Sequence, residues 1–141
     1  MKDELVTRKL MYCKLNRVAR SLAKLFNTEL PYDLRQRLLV FYKSVSREVS
    51  IFEAFKRHLN DKYGEKGENG NVTIHPSKRN EMQEEYDDFL ESNAATLVYY
   101  PLELKELKNM PMSVEDHVNL EMFLDPEELK KSYKDVEKLD V

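Results

Sequence analysis

"TLVYYPLELKEL", residues 96–107, breaks the helical rhythm of the sequence around it. Leu97, Val98, Tyr99 and Tyr100 form a β-prone run, Pro101 interrupts it, and Leu102, Leu104 and Leu107 resume the apolar pattern. A strand needs a neighbour, and the nearest β-branched run is "NVTI", in which Val72–Ile74 precede an intervening helix. Pairing of these two runs is therefore expected. Pro101 and the alternation of Leu102 with Leu104 predict a kinked edge segment beyond it. So small a sheet leaves edges open, and backbone groups there must bond to water, to another strand or to a partner chain.

Upstream, Met11, Leu15, Val18, Leu22 and Leu25 recur in steps of four and three, which predicts an amphipathic helix from Lys2 to Asn27. "NTELPYD" breaks it, with Pro31 suited to the start of the next helix. Leu34, Leu38, Phe41, Val45, Phe52, Phe55 and Leu59 carry the same rhythm through a second helix. Glu48 interrupts that seam, and Val49 is expected to take its place. The short connection makes the two helices an antiparallel hairpin. Leu39, Val40, Tyr42 and Ile51 lie off the seam, so the second helix should be central, with the C-terminal half on its far side.

Downstream, "GEKGENGNVTIHP" holds all 3 glycines and reads as a loop. A helix over 77–93 sets Met82, Tyr86 and Phe89 on one side and acids on the rest. In "MSVEDHVNLEMFL", Ser113 and Asp116 have capping-box spacing, with Val114, Val118, Leu120, Phe123 and Leu124 as the buried side. "DPEELKK" repeats the start signal with Asp125 as cap and Pro126 behind it, ahead of a thin stripe of Leu129, Tyr133 and Val136 whose end should fray.

The fold class expected is mostly α (α+β). An antiparallel helical hairpin packs on a C-terminal half made of a helix, a short two- or three-stranded sheet and a closing helix. The expected organisation is a single domain over 1–141. Its parts are a hairpin (1–63), a loop with a short strand (64–76), a helix-strand-helix unit (77–125) and a charged C-terminal helix (126–141).

Composition narrows the function classes. The 141 residues are 41% hydrophobic but 35% charged, above the usual quarter or so, as long helices with solvated faces would be. Only 3 Gly and 5 Pro argue against a sandwich or barrel. A lone cysteine, Cys13, excludes an internal disulfide framework and suits a reducing cytoplasm. No apolar run has signal-peptide or membrane-span length, so no membrane partner is expected, and the "KDEL" at residues 2–5 is not at a C-terminus. Charge is unevenly spread. Residues 1–60 carry 13 Lys/Arg against 6 Asp/Glu, whereas residues 61–141 carry 10 against 20.

No motif names a reaction. His58, His75 and His117 are far from one another and from Cys13 in sequence, so neither a metal set nor a Cys–His pair is indicated. There is no phosphate-binding glycine loop, nucleophile elbow or dinucleotide fingerprint, and no cofactor is expected. Lys9, Arg17, Arg20 and Lys24 share one stripe of the first helix, spaced to follow a phosphate backbone. Their ordinary reading is a solvated face, and no aromatic is interleaved for base stacking, so nucleic acid is not the favoured partner. The acidic half, of the same or another copy, could also pack on them. Glu84, Glu85, Asp87 and Asp88 scatter around a helix, which suits a solvated face or a contact with a basic protein groove better than a metal.

"EMQEEYDDFLESNAATLVYYPLELKEL" followed by "MSVEDHVNLEMFLD" resembles small uncharacterised proteins of tailed phages and prophages, over residues 81–125 and in the type of hairpin that precedes them. The resemblance implies a phage context and assigns no residue a role. The function expected is a non-enzymatic module that occupies a host or viral protein and modulates or inhibits it. Contact would be through Tyr99, Tyr100, Leu102 and Leu104 on the open edge, or through Glu84, Glu85, Asp87 and Asp88 nearby. A virion component or oligomerising assembly chaperone, and nucleic-acid binding through the first helix, are the alternatives. The expected location is the host cytoplasm, or the virion if the role is structural.

Overall fold

The computed structural model describes residues 4–125 together with Glu127 and Lys130. The chain opens with a strand, β1 (Val6–Leu10), followed by helices α1 (Tyr12–Leu25) and α2 (Tyr32–Tyr63). Strands β2 (Gly64–Lys66) and β3 (Val72–Ile74) come next, then a single 3-10 turn (Pro76–Lys78) and helix α3 (Arg79–Ser92). Strand β4 (Ala95–Tyr99) and the short helices α4 (Leu104–Asn109) and α5 (Val114–Glu121) complete the described order. The protein is mostly helical with small antiparallel sheets.

Packing of the hairpin follows the four–three seam. Leu15, Val18, Leu22 and Leu25 of α1 are buried with Leu34, Leu38, Phe41 and Val45 of α2. The 32 residues of α2 span about 48 Å, long enough to carry α1 and the sheet along its first half and α3 along its second. Central as it is, α2 leaves Val40 and Ile51 exposed. Glu48 keeps its place in the seam and is buried, while Val49 is only half-buried. A carboxylate can stay there because the Tyr12 hydroxyl donates to it at 2.7 Å, which satisfies a charge that burial would otherwise penalise. Burial first, then the hydrogen bond and charge of Glu48, push the Tyr12 phenol up to about 12.

Several expectations are corrected by tertiary contacts. The first helix begins at Tyr12, not Lys2, and Met11 is half exposed at its N-cap. The residues before it form the missing neighbour of β4, in antiparallel register with Val6 opposite Tyr99, Arg8 opposite Leu97 and Leu10 opposite Ala95. Lys9 therefore lies on a strand and not on the helical stripe. β3 pairs instead with β2, across a loop where Gly70 takes φ 75 and Gly67 donates to Asn71 at 2.8 Å. So short a loop closes at less entropic cost than pairing across the whole of α3.

The segment after Pro101 is not a kinked edge. Leu102 donates to Phe123 at 3.0 Å and accepts from Asp125 at 2.9 Å, bridging alongside Leu124. Glu103 and Glu106 then exchange a reciprocal capping box that starts α4. In α5, Ser113 and Asp116 form the expected box. Its buried face is Asp116 and Leu120, continued by Phe123 and Leu124, whereas Val114 and Val118 are 81% and 61% exposed. At about 100° per residue these valines fall opposite Asp116 and Leu120, so a helix face set against α1 leaves them in water. Asp125 accepts from the Glu127 amide at 3.0 Å. The stripe of Leu129, Tyr133 and Val136 lies outside the described residues.

Candidate functional site

Within residues 96–107, Leu97, Tyr99, Pro101, Leu102 and Leu107 are buried. Tyr99 is 4% exposed, its ring 5.0 Å from that of Phe41 and 5.1 Å from that of Phe123, and Leu102 is 1% exposed. Neither can meet a partner in this arrangement. Tyr100 is half-buried beside Val40, Gln36 and Arg37 in a shallow pocket, and Leu104 is half-buried on α4. The strand edge expected to be open is covered on both sides. β1 takes one, and on the other the Val98 amide donates to Ser44 Oγ of α2 at 2.8 Å. Because that amide points away from β1, Val98 and its opposite Thr7 form a non-hydrogen-bonded pair. Thr7 and Lys9 hence turn their N–H and C=O groups to the outer edge of β1. Lys9 stands on that edge and Arg8 points inward to donate to the Met122 carbonyl, two features that discourage strand addition.

The basic stripe is reduced to Arg17, Arg20 and Lys24 on α1, all exposed. α5 packs against it, so part of the acidic half covers the basic half within one chain. Asp116 accepts from Ser21 Oγ at 2.8 Å and lies 3.3 Å from Lys24 Nζ, while Asn119 donates to Ser21 at 3.1 Å. Burial alone would raise the Asp116 carboxyl, but hydrogen bonds from Ser21, Ser113 and Lys24 outweigh it and hold it below the usual carboxylate range. A depressed pKa gives stability that is fully present above the unfolded value, about 3.9, and is lost as pH falls through the folded one. Thermal melts between pH 7 and pH 2 should therefore show an acid-dependent loss that is smaller in Asp116→Asn. Parallel pH profiles for the two proteins would show that Asp116 is not ion-paired in solution.

The four candidate acids of α3 divide between solvent and a contact with α2. Glu84, Asp87 and Asp88 face solvent, and Asp87 accepts from Gln83 at 2.9 Å. Glu85 turns to α2, pairing with Lys62 and accepting from the Tyr63 hydroxyl at 2.7 Å. Lys62 first, then Tyr63, holds its carboxyl below the ordinary value. α3 rests on α2 through Phe89, stacked on Phe55 with ring centroids 3.9 Å apart and 5.2 Å from Tyr12. No residue of α3 is fully buried, and Met82, Tyr86, Phe89 and Leu90 are all half-buried.

That partial seating leaves a groove of about 540 Å³ between β3 and α3, lined by Val72, Ile74, Arg79, Met82, Gln83 and Tyr86. Val72 is 49% exposed in its wall. The groove was missed in sequence although both walls were visible there: alternate apolar residues in "NVTI", and Met82 with Tyr86 one helical turn apart. What the sequence does not show is that β3 turns back on β2 and so faces α3.

Among the described residues, no three of His, Cys, Asp and Glu converge as a metal ion would require. No described helix is long and apolar enough to cross a membrane. No protein-family model, curated protein or solved structure matches the chain.

Proposed function

We propose that this chain is a non-enzymatic protein-binding module, phage-encoded, that occupies a surface of a host or viral protein in the bacterial cytoplasm and modulates or inhibits it. The observation that carries the reading is the half-covered α3. A 14-residue helix seats on the fold without fully burying one residue, and beside it an apolar groove stays open. Contiguous exposed apolar surface rimmed by charge marks interaction sites on soluble proteins. The resemblance of residues 81–125 to tailed-phage proteins supports the context.

Affinity capture from a bacterial lysate, read by mass spectrometry, tests it with three baits: wild type, Val72→Ser/Met82→Ser, and Val114→Ser/Val118→Ser. The last pair alters exposed apolar residues away from the groove. One protein should be retained by wild type and by the α5 control and lost by the groove variant, all three baits melting alike. Capture of nothing specific, or equal capture by the groove variant, would overturn the reading.

A further inference from the structure

We infer that the outer edge of β3 takes an extended segment of the partner protein as an antiparallel third strand, with an acid of that segment at Arg79; the inference rests on the protein-binding reading above. The turn between β2 and β3 shows which backbone groups are free. Gly67 donates to the Asn71 carbonyl at 2.8 Å, and Gly70, at φ 75, donates to the Gly67 carbonyl at 3.0 Å. Gly67 and Asn71 are therefore the hydrogen-bonded pair that closes the hairpin, and pairs alternate from there along the register. Glu65 and Thr73 exchange bonds, whereas Val72 opposite Lys66 and Ile74 opposite Gly64 do not. The N–H and C=O groups of Val72 and Ile74 hence point to the outer edge, where no described group bonds them. β1 guards its own edge with Lys9 and an inward Arg8, but β3 carries no charge and no proline. An antiparallel strand laid along it would exchange two bonds with each of Val72 and Ile74. The residues that do so turn their side chains to the same face as Val72 and Ile74, the face that lines the groove. Backbone pairing and apolar filling thus fall on the same two alternate residues.

Charge at the groove is positive. At about 100° per residue, Arg79, Met82 and Tyr86 share one face of α3, while Glu81, Glu84 and Asp88 lie on the other. The groove is lined by Arg79 and by no acid. The Arg79 guanidinium has no hydrogen bond or ion pair with any described residue. It stands on the first turn of α3, where the positive end of the helix dipole adds to its charge. The acids of the far face are a helix diameter away, about 10–12 Å, beyond the Debye length of about 8 Å at physiological salt. The chain passes from Ile74 to Arg79 through a single 3-10 turn, so the guanidinium is at the Ile74 end of the edge. In an antiparallel strand, an acid two residues before the one opposite Ile74 falls on the groove side, beside Arg79. The segment recognised is thus an acid followed at alternate positions by two apolar residues.

The capped peptide Glu-Thr-Val-Thr-Val-Thr carries this pattern, and NMR titration with hydrogen exchange tests it on the full chain. On binding, the Val72 and Ile74 amides should gain protection of at least about tenfold, while the Thr73 amide, already bonded to Glu65, changes little. N-methylation of both peptide valines removes the donors that face β3 and should weaken binding about tenfold. N-methylation of the threonine before each valine, whose N–H points away, should leave binding within about twofold. Replacing the peptide's Glu with Lys should weaken binding about threefold, and Arg79→Glu, at an exposed position, should reverse that preference. Equal loss from the two methylations, Val72 and Ile74 amides that gain no protection, or an Arg79→Glu protein that still prefers the Glu peptide would each overturn the inference. If the peptide does not bind while lysate capture still depends on the groove, the extended acidic class is wrong and the module reading stands. Protection of Val72 and Ile74 that grows with protein concentration in the absence of peptide would make a second copy the occupant and overturn it too.

Discussion

Leu22→Asp is expected to leave the chain unfolded at room temperature. Leu22 is fully buried at the middle of the α1 seam, packed with the leucines of α2. A carboxylate placed there has no partner. Breaking a buried pair so that one charge is left uncompensated costs about 3–5 kcal/mol, and here the lost apolar burial of the leucine adds to it. Domains of this size are stable by only about 5–15 kcal/mol, so the loss removes most or all of that margin. Arg20→Glu, two residues away and exposed, makes a larger change in charge yet should shift stability by no more than about 0.5 kcal/mol. Circular dichroism melts of the two variants test the hairpin directly. A Leu22→Asp protein melting within a degree or two of wild type would show that Leu22 does not face α2.

Legibility in this sequence depended on how far away each stabilising contact lies. The α1–α2 seam was readable because its apolar residues repeat within each helix and burial follows the repeat. Ser113 and Asp116 were readable for the same reason, since the two capping residues are only three positions apart. Arg8 shows the opposite case. It occupies the inward position of β1, where its charge hides the alternation of Val6 and Leu10, and its guanidinium is satisfied by a carbonyl 114 residues away. Glu48 is similar, being held in the seam by a tyrosine 36 residues away. Both are polar residues in apolar slots, and a local reading assigns them to the wrong element or the wrong face. The capping box at Glu103 and Glu106 was local and still hidden, because alternating leucines imitate a strand. For the groove, each wall was visible and their juxtaposition was not, since it follows from β3 choosing the nearby β2 over the distant β4.

The pairing of β1 with β4 answers which residues neighbour Leu97–Tyr99, and proline substitutions should read its register. Arg8 opposes Leu97 in a hydrogen-bonded pair, whereas Thr7 opposes Val98 in a pair whose polar groups point apart. Arg8→Pro removes a ladder donor and strands the Leu97 carbonyl in the interior, a loss of about 2–4 kcal/mol. The arginine side chain contributes separately through Met122, so Arg8→Ala serves as its control and should cost less than Arg8→Pro. Thr7→Pro removes only an outward N–H and should cost no more than about 1 kcal/mol, as prolines on open strand edges do. Hydrogen exchange gives a second reading at single residues. The Leu97 and Tyr99 amides should lose protection in Arg8→Pro, while Val98 keeps its bond to Ser44 and loses it in Ser44→Ala. A slip of one residue along β1 would invert the order of the two proline variants. It would also carry Thr7 and Lys9 into the core and Arg8 out of it. Thr7→Pro proving the more damaging would therefore establish the slipped register and dissolve the Arg8–Met122 contact with it.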